Sequence, residues 1–453
     1  MEEIKYYPLS KEQQGLVMLA GVFPFPNLLY LLTEIDFVSE ISEERLLEAI
    51  RITGERLPYS RVRLHDMEDG STMQYCSDAA PDPVDVIDLS EGTEEDLEAL
   101  KLQWRKEKFP NNQRDVQLYR FRLIRRASGK HLLHLVVHHF IMDAYAMMNT
   151  VRYVDSVYAA LTRGEQLPPE GPLPWKLLEE ENAYFGSRKE ERDGEWWRAQ
   201  FETEPIFCSV NGLGGPEFVE GKRYGRKQTF QQMYTGLLRM RIPKELVEKV
   251  NTAAAQQKVS PQVYYMLALR SFLAHENRSD DVMVVMPMAM RSTLYQKAAG
   301  FSIAKTAPVR TVFPSSLSFE EALALLASVE NEVYRHGHYE YFNLKAYMFP
   351  RYGVPADCTY DSVWLTYQPF FKMGSSELDF SARMILNGFV PIPLYLLVQP
   401  QDDSGDLYGI YCYALDYTKK ESCEKLHAFM LRFLELGSAE PEKSLEDLIR
   451  RSL

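Results

Sequence analysis

The residues best suited to chemistry are two adjacent histidines in the stretch HHFIMDA, residues 138–144. This stretch follows the apolar run HLLHLVV and precedes a helical pattern that begins after Asp143. Because alternate side chains of a strand point to opposite faces, His138 and His139 are expected to face opposite ways, one buried and the other toward a cleft. A neutral imidazole can take a proton from an attacking amine or alcohol, so His139 is a candidate general base.

Other kinds of chemistry are disfavoured by the same sequence. No GxSxG nucleophile elbow accompanies the histidines, which favours direct transfer between two bound substrates over a covalent acyl-enzyme. An HExxH pattern and a mixed Cys/His ligand spacing are both missing from the sequence, so no metal site is predicted. Asp143 is expected to be structural, either as a helix cap or as the partner of an arginine.

Composition and charge restrict the class of protein. The 453-residue chain is 45% hydrophobic and 12% aromatic, which indicates a globular protein with two large lobes. Its formal charge of -13, from 51 basic and 64 acidic residues, provides no overall attraction for nucleic acid or an anionic membrane. The five scattered cysteines predict a reduced, cytoplasmic protein without a disulfide framework. We expect no signal peptide and no membrane span, and we expect a monomer.

The elements that must position the histidines alternate between strand and helix patterns, which predicts an α/β fold of mixed α and β layers. The apolar run before the histidines is a predicted strand, and the segment after Asp143 is a predicted helix. The best internal boundary is the proline-rich stretch TRGEQLPPEGPLPW, where the helical pattern stops. It predicts an N-terminal lobe, residues 1–172, that carries the histidine motif, and a C-terminal lobe, residues 173–453.

Several motifs along the chain resemble one protein family in that family's order. HHFIMDA resembles the HHxxxDG motif of the condensation domains of nonribosomal peptide synthetases and their acyltransferase relatives. Before it, YPLSKEQQGLVML resembles the first condensation motif, with Ser10 and Gln13 at its recognisable positions, and AIRITGERLPYSRVRL resembles the second. After it, four segments resemble the later motifs of the family: EWWRAQF, VSPQVYYMLALRSFLAHENRSDDVMVVMPMAMRS, GFSIAKTAPVR and WLTYQPF. On this ordered series, the chain is identified as a member of the family.

The resemblance implies a fold and a set of site residues. The fold would consist of two chloramphenicol-acetyltransferase-like lobes that form a V with a central tunnel. His139 would lie at the reaction centre, with His138 and Asp143 completing the catalytic motif. Asp143 would form a structural ion pair with Arg291 from the other lobe. The residue Tyr367, in the late WLTYQPF strand, is a candidate for the substrate tunnel.

Two positions depart from the family pattern. Ala144 stands where the motif ends in glycine, and its methyl group could hinder a positive φ or the approach of a pantetheine arm. Lys305 stands where the family usually has asparagine. Lys305 is expected either to line the tunnel, with a changed polarity, or to point to solvent at a strand end.

The function implied by the resemblance is amide formation from a carrier-bound acyl or aminoacyl thioester and an amine. No bound cofactor is expected, since the substrates are carried on the phosphopantetheine of peptidyl or acyl carrier protein domains, the expected partners. His139 would accept the proton of the amine, or would orient the amine and stabilise the tetrahedral intermediate. The alternatives are a free-standing acyl-CoA-dependent acyltransferase that forms esters, and a catalytically silent condensation-like domain that recruits a partner. The chain is expected to be either a free-standing enzyme or a domain excised from a synthetase.

Overall fold

The computed structural model describes residues 4–22, 29–106, 114–368, 372–373, 377–401 and 404–453. The chain divides into two compact units. The first comprises Met1–Phe185, Arg291–Ala304 and Phe371–Asn387, and the second comprises Gly186–Met290, Lys305–Phe370 and Gly388–Leu453. This division differs from the predicted boundary at 172–173, because the first unit continues to Phe185 and includes two later segments.

The helices have the following bounds: α1 Lys11–Val22, α2 Glu43–Arg56, α3 Glu94–Lys106, α4 Ala144–Arg163, α5 Trp175–Tyr184, α6 Arg188–Gln200, α7 Lys244–Gln257, α8 Pro261–Asn277, α9 Leu294–Ala298, α10 Phe319–Arg335, α11 Tyr341–Tyr352, α12 Lys420–Ala439 and α13 Leu445–Ser452. Among the described residues, no helix combines the length and the apolar character that crossing a membrane requires.

The strands have the following bounds: β1 Tyr7–Pro8, β2 Tyr30–Phe37, β3 Val62–Asp66, β4 Thr72–Cys76, β5 Asp85–Leu89, β6 Tyr119–Arg126, β7 His131–His138, β8 Gly225–Arg226, β9 Thr235–Ile242, β10 Asp281–Met288, β11 Lys305–Val312, β12 Cys358–Thr359, β13 Val363–Tyr367, β14 Lys372–Met373, β15 Phe380–Ile385, β16 Leu394–Gln399 and β17 Leu407–Ala414.

The first unit is built on a six-stranded sheet in the order β14-β15-β2-β7-β6-β5. Its strands are antiparallel except for the parallel pair β5 and β6. Strand β15 lies in this sheet because it pairs with β2 from Phe380 opposite Phe37 to Ile385 opposite Leu32. This pairing explains why a late segment of the chain belongs to the first unit.

Helices α2 and α4 pack together in the core of the first unit. Helix α4 is amphipathic and buries one face, which includes Val151 and Val154, in the same apolar cluster as Leu46 and Ile50 of α2. It ends at Arg163, since the following Gly164 adopts a left-handed conformation with φ 66°. The proline-rich connection that the sequence predicts therefore begins where this helix ends.

The second unit is built on another six-stranded sheet, in the order β11-β10-β13-β16-β17-β9. Strand β13 lies parallel to both of its neighbours, and the other pairs are antiparallel. Helix α8 is buried along nearly its whole length and packs with α12, where the rings of Phe272 and Phe429 lie 5.4 Å apart. Because its buried residues run without a gap from Val263 to Ala274, they lie on every side of the helix, which places α8 inside its unit.

Candidate active site

The two histidines lie where strand β7 ends and the chain turns toward α4. The N–H of His138 donates to the carbonyl of Leu118, and the N–H of His139 donates to the carbonyl of Leu29, both at 2.8 Å. The turn is closed by the N–H of Ile141, which donates to the carbonyl of His138 at 3.1 Å. Backbone bonds to the residues just before β6 and β2 therefore fix the two histidines at the end of a central strand of the sheet.

His138 is the buried member of the pair, with 1% of its surface exposed. The N–H of Phe140 donates to its Nδ1 at 3.1 Å, which assigns the proton of the neutral ring to Nε2. The ring stacks on Phe140 and contacts the edge of Tyr30. Burial, with a further contribution from His139, lowers the pKa of His138 to about 3. His138 is therefore uncharged near neutral pH and shapes the turn.

The buried neutral state of His138 predicts a pH-dependent stability. In the folded protein its pKa is lowered from the ordinary value of 6.5 to about 3, so between these values the unfolded chain binds a proton that the folded chain does not. The free energy of unfolding should therefore decrease as the pH is lowered through this window, by up to about 1.4 kcal/mol per pH unit from this residue. Urea unfolding of wild type and His138→Asn at a series of pH values measures the effect, with Asn keeping an acceptor for the Phe140 N–H. A variant whose slope equals that of wild type would contradict the assignment.

His139 is half-buried, and its ring faces a hydroxyl group. Its Nδ1 lies 3.1 Å from Oγ of Ser302, a residue 163 positions later in the chain. Burial lowers the pKa of His139, while the charge of Asp143 and a hydrogen bond to its own backbone carbonyl act in the opposite direction. The imidazole is therefore uncharged near neutral pH and can accept a proton.

The carboxylate of Asp143 is fully occupied by hydrogen-bond donors. Its Oδ1 accepts the N–H of Ala146 at 2.9 Å and Nη2 of Arg291 at 3.0 Å. Its Oδ2 accepts Nη1 of Arg291 at 2.8 Å and the N–H groups of Ile303 and Ala304, both at 3.0 Å. The helix-cap role and the arginine-pair role occur together in this residue. With these donors around it and 2% of its surface exposed, Asp143 acts as a structural anchor.

Arg291 ties the same carboxylate to a loop at residues 300–304. Its side chain is 1% exposed, and Nη2 donates to the carbonyls of Gly300 at 3.0 Å and Phe301 at 2.8 Å. The guanidinium also lies 4.6 Å from the centre of the Tyr145 ring. Arg291 was expected on the other lobe from Asp143, but the structure groups both residues in the first unit. The physical reason is that residues 291–304 form their hydrogen bonds with the first unit.

The loop at residues 300–304 has an unusual backbone that depends on a glycine. Gly300 and Phe301 are both left-handed, with φ values of 61° and 65°. A Cβ on Gly300 would lie 2.3 Å from a ring carbon of Tyr59, so this position excludes every larger residue. Left-handed φ is costly for phenylalanine, and the bonds from Arg291 to the two carbonyls offset that cost.

The first motif of the sequence also contributes to the turn, in a way the sequence did not reveal. Ser10 and Gln13 cap the start of α1 reciprocally, each backbone N–H donating to the other side chain. The Nε2 of Gln13 donates to the carbonyl of Phe140 at 3.1 Å and to Gln74 at 3.0 Å. The position of Gln13 in the motif could have marked it as important, but no local pattern shows which carbonyl it contacts.

Ala144 is the first residue of α4, and its φ is not positive. The backbone therefore does not require glycine at this position, although a close approach by a substrate could be a separate reason for glycine there.

We expect Ala144→Gly to lower the free energy of unfolding by no more than about 1 kcal/mol, because glycine is unfavourable within a helix. Activity should stay within about threefold of wild type, since the backbone N–H is unchanged. A tenfold gain in kcat/KM would instead show that the methyl group obstructs a substrate.

The remaining candidate residues, Lys305 and Tyr367, belong to the second unit. Lys305 begins β11, and its side chain is 8% exposed with Nζ 2.6 Å from Oε1 of Glu340, so it does not point to solvent. Burial with a carboxylate partner explains this difference from the solvent-facing alternative. Tyr367 ends β13 and stacks on Tyr265 with ring centres 5.1 Å apart, and burial raises its pKa to about 12. A role for either residue in a substrate tunnel stays a prediction.

Known proteins resemble this chain along most of its length. Surfactin synthase subunit 1 of Bacillus subtilis (strain 168) is 24% identical over 98% of this chain, which spans 12% of that relative. The first condensation domain of the calcium-dependent antibiotic synthetase, solved with substrate analogue 2a, has a TM-score of 0.81 at 18% identity, covering 98% of this chain and 99% of that one. A variant starter condensation domain of rhizomide synthetase, solved with C8-CoA, has a TM-score of 0.78 at 17% identity, covering 98% and 97%.

The mixed α/β fold of this chain therefore matches the fold of solved condensation domains. Residues 3–350 match the family described as Condensation domain, a range that includes the histidine turn, Asp143, Arg291 and the loop at 300–304. That range is most of the chain, and this chain belongs to the condensation domain family.

Proposed function

We propose that this chain catalyses the formation of an amide bond between the acyl group of a thioester and the amino group of an acceptor. One observation carries this proposal: His139 is an uncharged, half-buried imidazole at the end of a buried strand, with its Nδ1 next to a hydroxyl group. A positioned base that is unprotonated near neutral pH can accept the proton that the attacking amine loses during aminolysis of a thioester. Membership of the condensation domain family supports the same activity.

In the proposed reaction the acceptor nitrogen attacks the carbonyl carbon of the thioester, and a C–N bond forms in a tetrahedral intermediate. The proton of the nitrogen passes to Nε2 of His139. The C–S bond then breaks, and the proton moves to the departing sulfur, which leaves an amide and a free thiol. Because aminolysis of a thioester is downhill, most of the rate gain comes from aligning the two reactants.

We further propose that peptidyl or acyl carrier protein domains deliver the donor and the acceptor on phosphopantetheine arms, in the cytoplasm. None of the five cysteines, all of which lie in the described part of the chain, forms a disulfide, which fits a reducing compartment. A donor bound to coenzyme A is the second candidate, and it is favoured by one observation: a similar starter condensation domain was solved with C8-CoA. Both donors end in the same pantetheine thioester, so the chemistry at His139 is the same.

The test presents octanoyl and aminoacyl thioesters either on coenzyme A or on a phosphopantetheinylated carrier domain, with amine and alcohol acceptors in parallel. We expect amide products, with thiol release equal to amide formed and with higher kcat/KM for carrier-bound donors. Mass spectrometry identifies the product, and thiol titration measures the release. Ester formation from coenzyme A thioesters without amide would support the ester-forming alternative. Absence of product in every combination, with a carrier domain retained in a pull-down, would support recruitment without catalysis.

A further inference from the structure

The partner of His139 is a hydroxyl group that the family motifs do not single out. Ser302 is 1% exposed, and its Oγ lies 3.1 Å from Nδ1 of His139. The carboxylate of Asp143 does not take this place, because its two oxygens are occupied by Ala146, Arg291 and the backbone of the loop at 300–304. Ser302 is thus the side chain that lies within hydrogen-bond distance of Nδ1 of His139.

The position of Ser302 is fixed from both sides by charged groups. On one side, Arg291 binds the carbonyls of Gly300 and Phe301. On the other side, the carboxylate of Asp143 accepts the N–H groups of the two residues that follow Ser302. Hydrogen bonds to ionised groups are stronger than neutral ones, so the loop has little freedom to move the hydroxyl. The Asp143–Arg291 ion pair therefore acts on His139 through Ser302.

The hydroxyl beside Nδ1 affects which of the two ring nitrogens carries the proton of the neutral His139 ring. A neutral imidazole carries its proton on either Nδ1 or Nε2, and the surroundings of one nitrogen decide which. Oγ of Ser302 lies 3.1 Å from Nδ1, and a hydroxyl oxygen at this distance can accept a hydrogen bond from Nδ1–H. With the proton on Nδ1, the lone pair of Nε2 is free to accept a proton from an acceptor amine.

We propose that Ser302 is a positioning residue that accepts a hydrogen bond from Nδ1–H of His139 and thereby keeps Nε2 as the basic nitrogen. This inference deepens the proposed function, on which its kinetic part rests. Its structural part does not depend on turnover. The two parts can therefore be tested separately on the same full-length chain.

The first measurement is the protonation of the ring in the resting protein. In protein labelled with ¹⁵N-histidine, the shifts of Nδ1 and Nε2 report which nitrogen carries the proton. We expect wild type to show Nδ1–H for His139, and Ser302→Ala to show a mixture of the two forms. His139→Ala assigns the signal, and Ser302→Thr, which keeps the hydroxyl, should restore the wild-type form.

The second measurement is the pH dependence of turnover with the donor that proves active. We expect Ser302→Ala to lower kcat about tenfold with KM little changed, as loss of one positioning hydrogen bond predicts. An acceptor of Nδ1–H also favours the protonated ring, so its removal should move the acid limb of kcat to lower pH. Ser156→Ala removes an exposed hydroxyl from α4 and should change neither quantity.

Each outcome decides the inference. It is overturned if wild type carries its proton on Nε2, if the acid limb of Ser302→Ala moves to higher pH, or if Ser302→Ala matches wild type in both measurements. If no variant and no wild-type sample forms product, while the labelled spectra change as expected, the positioning role stands and the proposed function fails. If Ser302→Ala does not fold, the Ser302→Thr spectrum and the wild-type assignment still decide between the two proton positions.

Discussion

Replacing His139 with alanine is expected to lower kcat by about a hundredfold to ten-thousandfold, the range found for loss of a positioned general base. A group that transfers a proton in the transition state contributes little to the binding of the substrates, so KM should change by less than about threefold. Steady-state kinetics with carrier-bound donor and amine acceptor measure both quantities. His275→Ala is a suitable control, since that histidine has 45% of its side chain exposed in the second unit.

The pH profile separates a base from a residue that only orients the amine. Burial lowers the pKa of His139 from its ordinary value of 6.5, so the base form should persist and the acid limb of kcat should lie below pH 6.5. Rates are compared at equal concentrations of unprotonated acceptor, because an α-amino group titrates near pH 8. The limb should disappear in His139→Ala. A loss smaller than about threefold with an unchanged limb would point to orientation or recruitment instead of proton transfer.

The histidine turn is the part of the site that local sequence rules describe best. Alternation along a strand separates His138 from His139, and the structure shows one histidine buried and the other half-buried. The capping preference of aspartate identifies Asp143 as the N-cap of α4, where its side chain accepts the N–H of Ala146. Both rules act over a few residues, and for this reason a single sequence is enough to apply them.

The features that local rules do not reach depend on contacts between distant parts of the chain. Strand β15 pairs with β2, and Ser302 contacts His139 across 163 positions. The loop at residues 300–304 depends on the left-handed φ of Phe301. Phenylalanine normally avoids this conformation, so the residue type gives no reason to predict it. The grouping of Arg291 with the first unit has the same origin, since hydrogen bonds, and not position in the chain, decide which core a segment joins.

The Asp143–Arg291 ion pair should therefore have a larger effect on stability than any other single feature of the site. The two side chains are 3% and 1% exposed. Removal of one partner leaves the other as a buried, uncompensated charge, which costs about 3–5 kcal/mol. Asp143→Ala also removes the helix cap and the acceptor of two backbone N–H groups in the loop, so we expect its loss of unfolding free energy to exceed that of Arg291→Ala.

Urea unfolding of both single variants and of the double variant measures this effect as a coupling energy. Because most of the single loss comes from the stranded partner, the double variant should be less destabilised than the sum of the two. If the alanine variants do not fold, Asp143→Asn and Arg291→Lys are the milder replacements to be measured. Arg291→Lys should lose activity, because lysine cannot form the two parallel hydrogen bonds that arginine makes to a carboxylate. Arg51→Ala, which breaks an exposed pair on α2 whose side chains are 50% and 44% exposed, should cost less than about 1 kcal/mol. If Asp143→Ala loses no more free energy of unfolding than Arg51→Ala, the loop that carries Ser302 is held by its backbone alone. His139 should then keep its orientation in both the Asp143 and the Arg291 variants.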